Sequence, residues 1–145
     1  MRFVAQRVKS ATLHVNGKLV SEIGYGLVVF FGVKAGDTQA QAKKCAEKIA
    51  ALRVFEDEQG KMNLSVQEVK GEVLLVSQFT LYGDARKGNR PSFTEAERPE
   101  RANELYEYAA ACLRQTGVPV KLGVFGADMK ILQENNGPVT IIYEG

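Results

Sequence analysis

"GEVLLVSQFTL", residues 71 to 81, decides how the chain is read. From Val73 to Leu81 it predicts a strongly apolar strand, interrupted by Ser77, Gln78 and Thr80. A second run, "LVVFFGV" from Leu27 to Val33, has no polar alternation, so it predicts a strand buried on both faces. Strands of this kind need cover, and the spacing of apolar residues supplies two helices. Thr38, with Gln41 three residues later, makes a capping box. Behind it Ala42, Cys45, Ala46, Ile49 and Leu52 recur at helical intervals, with Lys43, Lys44, Glu47 and Lys48 opposite. Pro99 suits the first turn of a second helix. Its inner stripe is Ala102, Leu105, Ala109, Cys112 and Leu113, and Gly117 ends it.

The remaining segments read as strands. In "ATLHVNGKLV", Ala11, Leu13 and Val15 alternate with Thr12 and His14, and Asn16-Gly17 is a hairpin turn signal. "RVFEDEQGKMN" predicts a short strand running into an acidic loop. "VPVKLGVFG" predicts a strand with Val118, Val120, Leu122 and Val124 on one face. "DMKILQ" and "VTIIY" predict a closing antiparallel pair. The order is then βββ-α-β-β-α-βββ, an α/β (α+β-like) fold with helices on a mixed, antiparallel-rich sheet. A doubly wound nucleotide fold is the weaker alternative, since no Gly-rich phosphate loop follows a predicted strand.

The chain has 145 residues, 45% hydrophobic and 25% charged, which is the make-up of one globular domain, residues 1–145. No apolar run approaches a membrane span, and "MRFVAQRV" lacks a signal-peptide core, so a cytoplasmic location is expected. Cys45 and Cys112 fall on apolar helix positions and read as buried hydrophobes. With a single histidine, no zinc site is expected, and Glu56, Asp57 and Glu58 read as a charged turn rather than a metal site. No cofactor is expected either. A net charge of +2 is too small to establish nucleic-acid binding but permits a local basic patch.

Ser77, Gln78 and Thr80 interrupt an apolar strand, and a buried polar group needs a partner. Bonding to neighbouring backbone accounts for them; a polar pocket at the strand's end is the alternative. His14 lies on the polar face of its strand, and neither a nucleophile elbow nor a catalytic-cysteine signature is present. Any catalysis is expected to rest on positioning and backbone dipoles. The loop with Arg86, Lys87 and Arg90, flanked by Tyr82 and Phe93, is either a solvated charged loop or a phosphate contact. In "NNGPVT", residues 135 to 140, Pro138 after Asn-Gly is out of place in a simple hairpin.

"SQFTL" at 77–81 and "NNGPVT" at 135–140, in this order and in a chain of this length, resemble the two signature motifs of the D-aminoacyl-tRNA deacylase family. "QRV", "EIGYGL", "GVKAGDT", "LYEY" and "FGADM" extend the resemblance along the chain. It implies a barrel-like β core with two main helices and a homodimer whose active sites lie at the interface. The activity implied is hydrolysis of the ester between a D-amino acid and the 3′-terminal adenosine of tRNA, and of glycine mischarged on alanine tRNA. Ser77, Gln78, Phe79 and Thr80 then line the adenosine and the scissile ester, with a Phe79 or Thr80 amide as oxyanion donor. The Thr80 hydroxyl as nucleophile is the less attractive reading, and assistance by the ribose 2′-hydroxyl the more attractive one. Gly137 and Pro138, joined by a cis bond, act as a chirality filter inserted into the partner's site. Asn135, Val139 and Thr140 belong to the same motif, Phe125 and Met129 line the pocket, and Arg7 helps hold the Gly-Pro segment. Arg86, Lys87 and Arg90 meet the acceptor stem.

Overall fold

The two apolar runs become neighbours. In the computed structural model, which describes residues 1–145, they form β3 (Gly26–Gly32) and β6 (Glu72–Ser77). These pair in parallel, Leu27 opposite Val73 and Phe31 opposite Ser77. Parallel neighbours need a crossover connection. Helix α1 (Gln39–Ala51) lies on the crossover between β3 and β6, and α2 (Pro99–Gln115) on the one from β6 to β7 (Val120–Leu122), which is again parallel to β6. The two helices pack on one sheet face over a core that includes Phe3, Leu27, Phe31, Ile49, Leu75, Leu105 and Leu113. A second cluster, among it Leu13, Ile23, Val28, Leu74 and Val76, fills the other face. Lining both clusters explains why β3 and β6 carry no polar stripe.

Strand β1 (Arg2–Val15) organises the antiparallel half. Its first half pairs with β3 and its second with β2 (Lys18–Ile23), while β8 (Lys130–Glu144) runs along its other edge. The β1–β2 turn has Asn16 at φ 51 and Gly17 at φ 76, the doubly left-handed turn that matches strand twist. The sheet order is β2-β1-β3-β6-β7, with β8 on β1. Ser21 Oγ donates to the Leu122 carbonyl at 2.5 Å, and the Gly24 amide to the Glu72 carboxylate at 2.9 Å. These bonds draw β2 towards the far strands and leave a nearly closed barrel. Both helix readings hold: Thr38 makes the reciprocal capping box with Gln41, and Pro99 opens α2.

Three sequence expectations are corrected. "DMKILQ" and "VTIIY" are not a pair but fall along the single strand β8, because Asn136–Val139 bulges outward without reversing the chain. The strand expected over 73–81 stops at Ser77, and Phe79–Tyr82 forms a 3-10 turn. The short strand running into an acidic turn is found as expected, and the turn is the tip of a small hairpin, β4 (Phe55–Glu56) with β5 (Met62–Leu64), whose amides at Gln59 and Lys61 are taken up by the Asp57 carboxylate. Strand β7 is only three residues long, and Val124 lies beyond it, 41% exposed. No helix is long and apolar enough to cross a membrane.

Candidate active site

Ligand sites in sheets with parallel strands form beyond the strands' C-terminal ends. Strand β6 ends there at Ser77. The Gln78 amide makes a last bond to the Phe31 carbonyl at 2.8 Å, and the chain then tightens into the turn Phe79–Tyr82. The turn is anchored from behind. Arg2 donates to the Leu81 carbonyl at 2.7 Å, lies 4.9 Å from the centre of the Tyr82 ring, and binds the Glu144 carboxylate through Nε and Nη2 at 2.9 and 2.7 Å. Tyr82 is buried, its hydroxyl finds no partner, and burial pushes the phenol up. The first amides of a helical turn have no acceptor within it. Those of Phe79 and Thr80 find none outside it, whereas Leu81 and Gly83 donate to the carbonyls of Gln78 and Thr80.

In front of this turn opens a cleft of ≈ 690 Å³. Ser77, Gln78 and Phe79 form one wall, Phe125 and Met129 another, and Pro99 with Ala102 from α2 a third. Phe79 and Phe93 meet edge to face at 5.2 Å on the lining. Behind Phe125 stands Tyr106, its ring 6.3 Å away, whose hydroxyl donates to the Leu75 carbonyl at 2.6 Å. Burial pushes that phenol up to about 12. No histidine or cysteine lines the cleft. Its two carboxylates are occupied. Glu97 accepts the amides of Arg98 and Gly36, which hold its carboxyl below the usual range, and Asp128 pairs with Lys130 at 3.2 Å. The Thr80 hydroxyl accepts the side-chain amide of Gln78 and has no base beside it.

The other motif lies elsewhere on the molecule. Two steps along β1, from Gln6 to Val8, face five along β8, from Thr140 to Asn135. The extra residues bulge out at Asn136–Val139, and the Gly137–Pro138 bond is cis. Arg7, only 4% exposed, sits opposite. Its Nε donates to the Asn136 carbonyl at 2.9 Å, its Nη1 to Val54 at 2.7 Å, and its Nη2 lies 3.8 Å from Glu56. Gly137 has φ +129, where a Cβ would come within 3.0 Å of the Val139 nitrogen and 3.1 Å of Arg7. None of Asn135, Gly137, Pro138, Val139 and Thr140 lines the cleft of its own chain.

Of the basic loop, Arg86 is clasped by Asp84 at 2.7 and 2.9 Å, and this bond holds the Asp84 carboxyl at about 2. Lys87 and Arg90 are exposed. His14 stays half-buried on the strand face expected for it, outside the cleft. Sequence reasoning missed Arg2 and Arg98. Neither has a motif to mark it, although Arg98 lines the cleft.

Comparison with known proteins agrees with this architecture. The family model described as D-Tyr-tRNA(Tyr) deacylase matches residues 4–144. A D-aminoacyl-tRNA deacylase of Desulfitobacterium hafniense is 54% identical over 144 residues, covering 99% of this chain and 97% of its own. One of Geobacillus sp. is 56% identical, covering 99% and 95%. The solved structure of a c-Myc DNA Unwinding Element Binding Protein superposes with a TM-score of 0.95 at 43% identity, covering 100% of this chain and 99% of that one. A probable eukaryotic D-amino acid tRNA deacylase has the same fold, with a TM-score of 0.82 at 20% identity over 98% and 97% of the two chains.

Proposed function

The chain belongs to the D-Tyr-tRNA(Tyr) deacylase family and is by that membership an enzyme that deacylates D-aminoacyl-tRNA, and we propose that it does so with backbone amides in place of a catalytic side chain. The carrying observation is the pair of amides at Phe79 and Thr80, without acceptors, on a turn beside a cleft lacking histidine and cysteine. Ser77, Gln78, Phe125 and Met129 hold the terminal adenosine. An amide of the turn receives the negative charge that develops on the ester oxygen; a fixed dipole there lowers the barrier without reorganising. Thr80 is not the nucleophile, because its hydroxyl is taken by Gln78 and no base adjoins it. The ribose 2′-hydroxyl assists water in the attack.

Discrimination against L-amino acids belongs, in this reading, to Gly137 and Pro138 of a second subunit. Two features support it. The bulge projects from its own chain without reaching its own cleft. Strand β8 pairs with β1 alone, so its other edge is free for a copy of the chain, and Leu132 and Ile142 on it are 66% and 71% exposed. A filter of backbone atoms rejects one configuration at Cα and accepts any D side chain, and glycine passes because it has no Cβ. Glycine mischarged on alanine tRNA is therefore a substrate. Lys87 and Arg90 face the acceptor stem, with Arg86 contributing less while Asp84 neutralises it. The enzyme works in the cytoplasm, where charged tRNA is found.

The test is turnover of D-Tyr-tRNA and L-Tyr-tRNA side by side. Release of D-tyrosine with L-Tyr-tRNA intact is expected, and equal turnover of both overturns the reading. Pro138→Ala is expected to erode that selectivity or the dimer; a variant unchanged in both removes the filter. The 43%-identical structure is that of a protein named for binding a DNA element, which favours a second reading, nucleic-acid binding without hydrolysis. Salt-sensitive tRNA binding with no deacylation would support it instead.

A further inference from the structure

Arg98 is the one cation lining the cleft. It precedes α2 as the N-cap residue, its side chain makes no capping bond, and no carboxylate stands in salt-bridge contact with its guanidinium. The cleft's carboxylates face other groups: Glu97 is turned to the amides of Gly36 and of Arg98 itself, and Asp128 to Lys130. The rest of the lining is apolar or uncharged. The guanidinium is exposed at the rim, where water solvates it until an anion of the ligand takes that place. The proposed substrate brings few. The α-amino group is cationic and the carboxyl is esterified, so the negative charges near the reacting end are the phosphodiesters of the 3′ terminus.

Resting on the deacylase reading, we propose that Arg98 binds the phosphate joining the terminal adenosine to the preceding nucleotide and thereby distinguishes a charged tRNA end from a simple aminoacyl nucleoside. Guanidinium suits this task, since its planar donors meet two phosphate oxygens at once. It also separates two functions within one cleft: Ser77 to Thr80 address the ester, and Arg98 the chain to which the nucleoside is attached.

The experiment compares 2′(3′)-O-D-tyrosyl-adenosine with its 5′-monophosphate, in wild type and in Arg98→Ala, Arg98→Gln and Arg98→Lys. The wild type is expected to prefer the monophosphate in kcat/KM by about tenfold, the effect of one charge-assisted contact of about 1.4 kcal/mol. In R98A and R98Q the ratio should collapse towards one, through KM more than kcat, and R98K should restore part of it. Raising salt should shrink the wild-type ratio and leave that of R98A flat. A wild-type ratio of one, or an undiminished ratio in folded R98A, overturns the assignment of Arg98 while leaving the deacylase reading intact. A folded wild type that cleaves neither ester and no D-Tyr-tRNA overturns both.

Discussion

Gly137→Ala is the sharpest probe of the bulge. An L-residue at φ +129 is strained by about 1–3 kcal/mol. The added methyl meets the Val139 nitrogen at 3.0 Å and Arg7 Nη2 at 3.1 Å. The first of these is backbone and cannot rotate away. The second is fixed by its bonds to Asn136 at 2.9 Å and Val54 at 2.7 Å, and bonds from a charged donor contribute about 1.5–3 kcal/mol each. The bulge therefore has to shift, and a loss of about 2–3 kcal/mol is expected, which for a chain of this size lowers Tm by roughly 7–10 °C. Thermal unfolding followed by circular dichroism measures this. The same variant, assayed below its Tm on D- and L-Tyr-tRNA, should lose at least about tenfold in D-over-L selectivity, since about 1.4 kcal/mol of discrimination is tenfold. An unchanged Tm refutes the packing argument. Unchanged selectivity with a lowered Tm separates the bulge from chiral recognition.

Three further outcomes are expected. Thr80→Ala should keep kcat within about fivefold of wild type, because the backbone amides act there and one neutral hydrogen bond is worth about 1 kcal/mol; complete loss in a folded variant would restore a role for the hydroxyl. Tyr106→Phe should cost about 1 kcal/mol in urea unfolding, since the Leu75 carbonyl still accepts the Gly123 amide, and a loss several times larger would mean that the hydroxyl bond does more than hold α2 to β6. The Asp84 carboxyl, held at about 2 by Arg86, lies below its unfolded value of about 3.9. The loop clasp is thus fully formed above about pH 4 and lost as pH falls through about 2; a carbon-13 titration midpoint near 4 would refute it.

What was legible locally was legible for a local reason. The Thr38 capping box, Pro99 at the head of α2 and the Asn16-Gly17 turn are set by contacts within four residues, and each is found where the sequence places it. The apolar run at β3 announced double-sided burial, and the helices were legible in their own apolar spacing. The strand over 73–81 was read too long because Phe79 and Leu81 are apolar, yet the chain turns at Gln78 and leaves Phe79 54% exposed at the cleft. The Asn-Gly signal at 136–137 predicted a reversal. Instead β1 is long enough to pair with both halves of β8, and that ladder holds the chain straight through a bulge.

By itself the sequence determined the two helices, the two apolar strands and the two motifs that carry the family resemblance, while their parallel pairing came only with the tertiary structure. Only the tertiary structure decided that these motifs lie apart on one chain. It alone placed the Phe79 and Thr80 amides without acceptors, Arg2 behind their turn and Arg98 in the cleft. The physical reason is range. Caps and periodicities are written within a few residues, whereas a cleft wall joins the end of one strand to the head of a helix and to a loop far along the chain. Whether an arginine is clasped, like Arg2 by Glu144, or unpaired, like Arg98, depends on neighbours that only folding brings near.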